Sequence, residues 1–150
     1  MGMGTPLTAV LIFSPLAIIA HVGDSRAYLF RTGSLPKQLS RDHSWVAENV
    51  EAGNLTLEQA RVHPNRNVIT QAMGINAEPA VQTKTLDLRD GDLLLLCSDG
   101  LHGLVGDDEI KELLQSGKPE QAIEDLIQRA KDLGGNDNIT VVIGTVRRQG

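Results

Sequence analysis

The sequence predicts an α+β protein, a sandwich of antiparallel sheets covered by helices. Three observations carry this. Apolar runs of strand length crowd the first forty residues, helical periodicity gathers later, and the two do not alternate as in a parallel α/β sheet. Leu7–Phe13, Leu16–Val22 and Arg26–Arg31 read as successive strands, turned by Ser14-Pro15 and Gly23-Asp24-Ser25. A short strand at Lys37–Leu39 follows the turn Thr32-Gly33-Ser34.

The pattern then changes. Asp42 is expected to cap a short helix carrying Trp45, Val46 and Val50 and closing near Gly53. Thr56 and Gln59 form a capping box for a second helix, which must stop before Pro64. The polar helical stretch 49–67, set between strands, reads as a flap projecting from the main body. Strands resume at Ala80–Leu88 and Asp92–Cys97. Asp107, Asp108 and Glu109 give an acidic first turn to a helix bearing Ile110, Leu113 and Leu114. Pro119 suits the first turn of a longer helix, with Ile123, Leu126, Ile127 and Ala130 at helical spacing and Gly134-Gly135 at its end. Ile139–Val146 closes the chain as a strand.

A chain of 150 residues suits one domain, residues 1–150. Aromatics make up only 3%, so the core must be built from Leu, Ile, Val and Ala. The net charge of −5 argues against a nucleic-acid partner, which demands a basic face. The apolar stretch from Leu7 to Val22 is broken at Ser14-Pro15 and lacks a basic leader, so no membrane span or signal is expected. Cys97 is the single cysteine and reads as a buried small hydrophobe, with no disulfide possible within the chain. That usage fits a reducing compartment, and a cytoplasmic location is expected.

Three carboxylates share one context. Asp24 follows the run Ile18–Val22 through Gly23; Asp99 follows Leu93–Cys97 through Ser98; Asp137 precedes the final strand. Each stands at the mouth of an apolar strand beside turn-forming residues. Carboxylates so placed can converge on one sheet edge, and without Cys or paired His they favour a hard cation such as Mg2+ or Mn2+. Asp and Gly at strand ends are also ordinary turn formers, and composition alone does not decide between the two. His21 reads as structural, His43 and His63 as surface or capping residues near helix ends. His102, three residues after Asp99, reads as structural or as lining the same cleft.

Six motifs in order resemble the type 2C (PPM) metal-dependent protein serine/threonine phosphatases, in their bacterial branch. They are Met3-Gly4-Thr5, Val22-Gly23-Asp24-Ser25-Arg26, Leu39-Ser40-Arg41-Asp42-His43-Ser44, the stretch from Glu51 to Thr70, Ser98-Asp99-Gly100-Leu101, and Asp137-Asn138-Ile139-Thr140 with Gly135-Asn136 before it. Pro6 stands where the family's entry motif has a second Thr. The resemblance implies a two-sheet sandwich, a binuclear metal centre, and direct hydrolysis of phosphoserine and phosphothreonine in a phosphorylated protein substrate. It assigns Asp99 and Asp137 to one core metal and Asp24 to a third, weaker one.

The resemblance also implies what is lacking. The family's Asp-Gly-x-Gly-Gly motif, its phosphate-binding Arg and its proposed general-acid His belong to its N-terminal part, and none appears here. The expected fold is therefore a partial antiparallel β-sandwich without the N-terminal strands and helices. No catalytic side chain and no organic cofactor site is assigned within this chain. Halving the ligand set predicts loose metal binding and weak or no activity in isolation. Uncovered sheet faces predict self-association or capture of a missing N-terminal segment. A non-catalytic pseudophosphatase or partner-binding module is the alternative.

Overall fold

The computed structural model describes residues 2–135 and 137–149; Met1, Asn136 of the last motif and Gly150 lie outside them. Three strands open the chain: β1 (Leu7–Phe13), β2 (Leu16–Val22) and β3 (Arg26–Phe30). The two-residue β4 (Lys37–Gln38) follows, then helices α1 (Trp45–Glu51) and α2 (Leu57–Val62). β5 (Gln82–Asp87) and β6 (Leu93–Cys97) precede α3 (Asp99–His102), α4 (Asp107–Gln115) and α5 (Pro119–Asp132), and β7 (Val141–Thr145) ends the fold. The expected strands are present: β1 and β2 match at both ends, and the others are trimmed by one or two residues at one or both ends. The short α3 was not expected.

All pairings within the two sheets are antiparallel. One sheet has the order β1-β2-β5, the other β4-β3-β6-β7. Two apolar layers result. Ile19, Ala27, Leu29, Leu39 and Leu94 fill the space between the sheets. On the other face of the four-stranded sheet, Tyr28, Phe30, Leu95 and Cys97 pack against Leu101, Ile110, Leu114, Leu126 and Ala130 from α3, α4 and α5. The period-2 alternation of β3 and β6 sends Ala27, Leu29 and Leu94 one way and Tyr28, Phe30 and Leu95 the other.

The three-stranded sheet has no such second cover among the described residues. The register pairs Ala9 with Ala20, Leu11 with Ile18 and Phe13 with Leu16, so these side chains share its outer face. Leu7, Leu11 and Phe13 there are 52%, 63% and 47% exposed.

The cap of α1 corrects the sequence reading. Ser44, not Asp42, is the N-cap, its side chain accepting from the Ala47 N–H. Asp42 is engaged elsewhere, by Arg26. The Thr56–Gln59 capping box of α2 forms as expected, and His63 ends that helix before Pro64. Neither α1 nor α2 contains a buried residue, and Trp45 stacks on His63 with ring centroids 4.7 Å apart. No helix among the described residues is long and apolar enough to cross a membrane.

Candidate functional site

The ladder brings the three carboxylate-bearing segments to one end of the four-stranded sheet. Arg26, just after Asp24, pairs with Cys97, just before Ser98-Asp99, and Cys97 pairs with Val141 at the start of β7. The Asp24 turn is possible because Gly23 adopts φ 108°, a region other residues avoid. A side chain at Gly23 would also collide with Pro6, the residue that departs from the family pattern.

Asp24 and Asp99 are brought together. Burial, then the Asp99 charge and the more modest Asp42 charge, push Asp24 up to about 6. Two partly buried carboxylates that repel each other constitute a donor pair suited to a divalent cation, whose charge relieves the repulsion.

Asp137 is placed differently. Its segment is clasped to the same strand end: Ser98 Oγ donates to the Asn138 carbonyl at 3.2 Å and accepts from Thr140 N–H at 3.0 Å, and Ser98 N–H donates to the Thr140 carbonyl at 3.1 Å. Gly100 permits this approach, since a Cβ there would collide with the Asn138 carbonyl oxygen. The Asp137 carboxylate itself is exposed and accepts from Asn138 N–H at 2.7 Å. Among the described residues no three His, Cys, Asp or Glu side chains gather as a metal cluster. The fold therefore sets Asp24 beside Asp99, with Asp137 on the adjoining strand end.

Histidines frame the Asp24 turn, a role the sequence reading did not give to His43. Gly23 N–H donates to His43 Nδ1 at 3.1 Å, and His43 N–H donates back to the Gly23 carbonyl at 2.8 Å. The same carbonyl accepts from His21 Nε2 at 3.0 Å, which fixes the tautomer and leaves Nδ1 to accept from Thr8 Oγ1 at 2.9 Å. His102 Nε2 donates to the Asp24 carbonyl at 2.7 Å. Burial lowers all three, aided by His43 beside His21, Arg41 beside His43 and Arg26 beside His102, so they act as neutral hydrogen-bonding groups at pH 7. His43 thus leaves the surface role expected of it, and His102 joins the site through backbone rather than as a ligand. His63 keeps a local role, accepting from Asn65 N–H.

Arg26 completes the frame. Its guanidinium grips Asp42 through Nε at 2.9 Å and Nη2 at 2.6 Å, and donates to Tyr28 Oη at 2.8 Å. Tyr28 in turn donates to Asp107 at 3.0 Å. Cys97 beneath is buried, and burial pushes its thiol up to about 12, so it offers no nucleophile.

The protein phosphatase 2C family matches residues 2–139. The protein phosphatase PhpP of Streptococcus pneumoniae is 42% identical over 149 residues, covering 99% of this chain and 60% of that protein. The crystal structure of the serine/threonine phosphatase PstP/Ppp of Mycobacterium tuberculosis superposes with a TM-score of 0.90 at 38% identity, over 97% of this chain and 61% of that one. A catalytic-domain structure of PstP in complex with two manganese ions has a TM-score of 0.85 at 38% identity, over 97% and 60% of the two chains. The chain spans about three-fifths of the length of these relatives.

Proposed function

Since the chain belongs to the protein phosphatase 2C family, we propose that it is the C-terminal part of a phosphatase acting on phosphoserine and phosphothreonine in proteins. The observation that supports this best is the Asp24–Asp99 pair, two carboxylates held together at a cost that a divalent cation would offset. The family is magnesium- or manganese-dependent, and the PstP relative carries two manganese ions. In this reading Asp99 and Asp24 hold the ion, and Asp137 joins them from the adjoining strand end. When bound, the ion supplies Lewis acidity toward a phosphate group.

The chain's own residues orient that donor pair. His21, His43 and His102 fix the backbone of the Asp24 turn, and the Ser98 clasp fixes Asp99 against the Asp137 segment. Residues 49–67 act as a flap that shapes access for a phosphorylated protein. With so few ligands the isolated chain binds metal loosely and turns over slowly. It then completes itself by self-association or by taking up a segment equivalent to the relatives' unmatched part. A cytoplasmic location fits the single buried thiol.

A second reading is a non-catalytic, partner-binding module. The exposed Asp137 carboxylate, turned onto its own Asn138 N–H, favours it. Manganese titration followed by electron paramagnetic resonance, together with aryl phosphate hydrolysis, tests both. The metal reading expects saturable binding that Asp99→Asn weakens at least about tenfold, the loss of one charged ligand. Binding indifferent to both Asp99→Asn and Asp24→Asn would overturn it. Binding without any metal-dependent hydrolysis, in the chain joined to a relative's N-terminal part, would favour the module.

A further inference from the structure

A cleft of about 220 Å³ opens between the two sheets at the end away from the carboxylates. Its walls are β5 on one side and β3 with β4 on the other, and Leu29, Leu39 and Leu86 form its apolar floor. Arg31, Lys37, Lys84 and Arg89 line it as well. The five residues of β3 at about 3.3 Å each separate its mouth from the Asp24 turn by roughly 15 Å.

The charge in this cleft runs against that of the chain as a whole, whose net charge is −5. Arg31 is already matched, gripping the buried Asp92 carboxylate at 2.8 and 2.7 Å. Lys37, Lys84 and Arg89 have no carboxylate within ion-pair distance among the described residues. Asp87 is the one carboxylate in the lining. Lys84 is the informative member. It pairs with Ile19, whose side chain is buried between the sheets, so Lys84 also points inward and is only half-exposed.

The backbone adds a second feature. β5 pairs with β2 on one side and β4 with β3 on one side, and among the described residues neither has a strand on its other edge. An unpaired edge beside a basic cleft with an apolar floor matches an extended peptide. The peptide's backbone would extend β5, and its alternate side chains would fall on the floor and the cations. We propose that the β4–β5 cleft is a docking groove for an acidic, extended segment of a partner protein, separate from the carboxylate site. Charge complementarity selects this occupant. A second copy of the chain would bring the same cations face to face, and a neutral strand would leave them unmatched.

An inward lysine on an edge strand has another use, discouraging edge-to-edge pairing, and the test separates the two. A fluorescein-labelled decapeptide alternating Glu or Asp with Val or Thr is titrated with the chain, beside its Gln and Asn counterpart, with fluorescence anisotropy as the readout. The proposal expects saturable binding of the acidic peptide only, weakened by salt and by about tenfold in Lys37→Glu/Lys84→Glu. Lys131→Glu on α5 should leave binding unchanged. Circular dichroism and the melting temperature confirm that the variants fold, and Lys37→Gln/Lys84→Gln serves if charge reversal prevents folding. Hydrogen exchange of the bound chain should show new protection across Gln82–Asp87. Equal binding of the two peptides, or reversal without effect, would overturn the proposal. So would an outcome in which the lysine variants change only self-association in sedimentation.

Discussion

The four-stranded and three-stranded sheets are built from similar apolar strands but end in different surroundings. β6 sends Leu94 toward the other sheet and Leu95 toward the helices, and both are buried. β1 sends Val10 toward the other sheet and Leu11 outward, where it is 63% exposed. What distinguishes the two is the chain that follows: α4 and α5 return over the four-stranded sheet, and no described segment returns over the three-stranded one. A strand's pattern states which faces are apolar. It does not state whether a cover will be present.

The sharpest test of this difference compares Leu95→Ala with Leu11→Ala in urea denaturation. Leu95 is fully buried, and its truncation should cost about 3 kcal/mol or more. Leu11→Ala should stay within about 0.5 kcal/mol. Equal costs would mean that the outer face is covered in solution. The next test addresses that cover directly. Burying roughly 300 Å² of apolar surface contributes on the order of 7 kcal/mol before association costs, so the bare face should drive self-association. Leu11→Lys/Phe13→Lys should weaken it by about a hundredfold, on the order of 2.7 kcal/mol, as read by sedimentation over a concentration series. A wild-type chain that stays monomeric at high concentration would break this account.

The carboxylate pair joins the two regions, since Asp24 follows β2 and Asp99 follows β6. Asp24 is raised from its ordinary value to about 6. A carboxyl raised on folding contributes stability that is fully present below its unfolded value and lost as pH rises through 6. Without metal, Asp24→Asn should therefore match the wild type near pH 4 and exceed it at pH 7.5, by on the order of 1–2 kcal/mol for this partly exposed group. The three histidines have the opposite sign. Each is lowered, so their contribution is present above the ordinary imidazole value and lost as pH falls below it. Thermal melts across pH 4–8 would separate the two. A pH-independent difference between Asp24→Asn and wild type would show that the pair does not repel.

The smallest effect concerns the covering layer itself. Arg129 Nε donates to Glu109 at 2.5 Å, tying α5 to α4, with both side chains near 40% exposed. Glu109→Gln should cost only about 0.5 kcal/mol. A much larger loss would mean that the helices hold to each other through charge rather than through Ile110, Leu114 and Leu126.

The fold was legible where its cause is local. Thr56 and Gln59, Pro119 and the apolar runs each act within a few residues, and each produced the expected element. The Ser44 cap was missed because Asp42 is withdrawn by Arg26, sixteen residues earlier, and nothing in the local spacing reveals that pairing. α3 is four residues long, too short for a periodicity to register. At the candidate site, strand-end position and motif order singled out Asp24, Asp99 and Asp137 as candidates. The proximity of Asp24 to Asp99 and the exposure of Asp137 depend on how two turns pack. The histidine frame was hidden for the same reason: His43 reaches Gly23 across 20 residues, and His102 reaches Asp24 across 78.

The Ser98 clasp carries a consequence for how such a chain can change over time. Ser98 and Asn138 lie 40 residues apart, yet they meet through hydrogen bonds at neighbouring strand ends. Lengthening the surface turn at Ser116-Gly117 would add only a slowly growing closure entropy, and it would leave the β6–β7 ladder and the Ser98 contacts in place. The helical layer can therefore be elaborated, or given a new outward surface, while the spacing between the Asp99 and Asp137 segments stays as the sheet sets it.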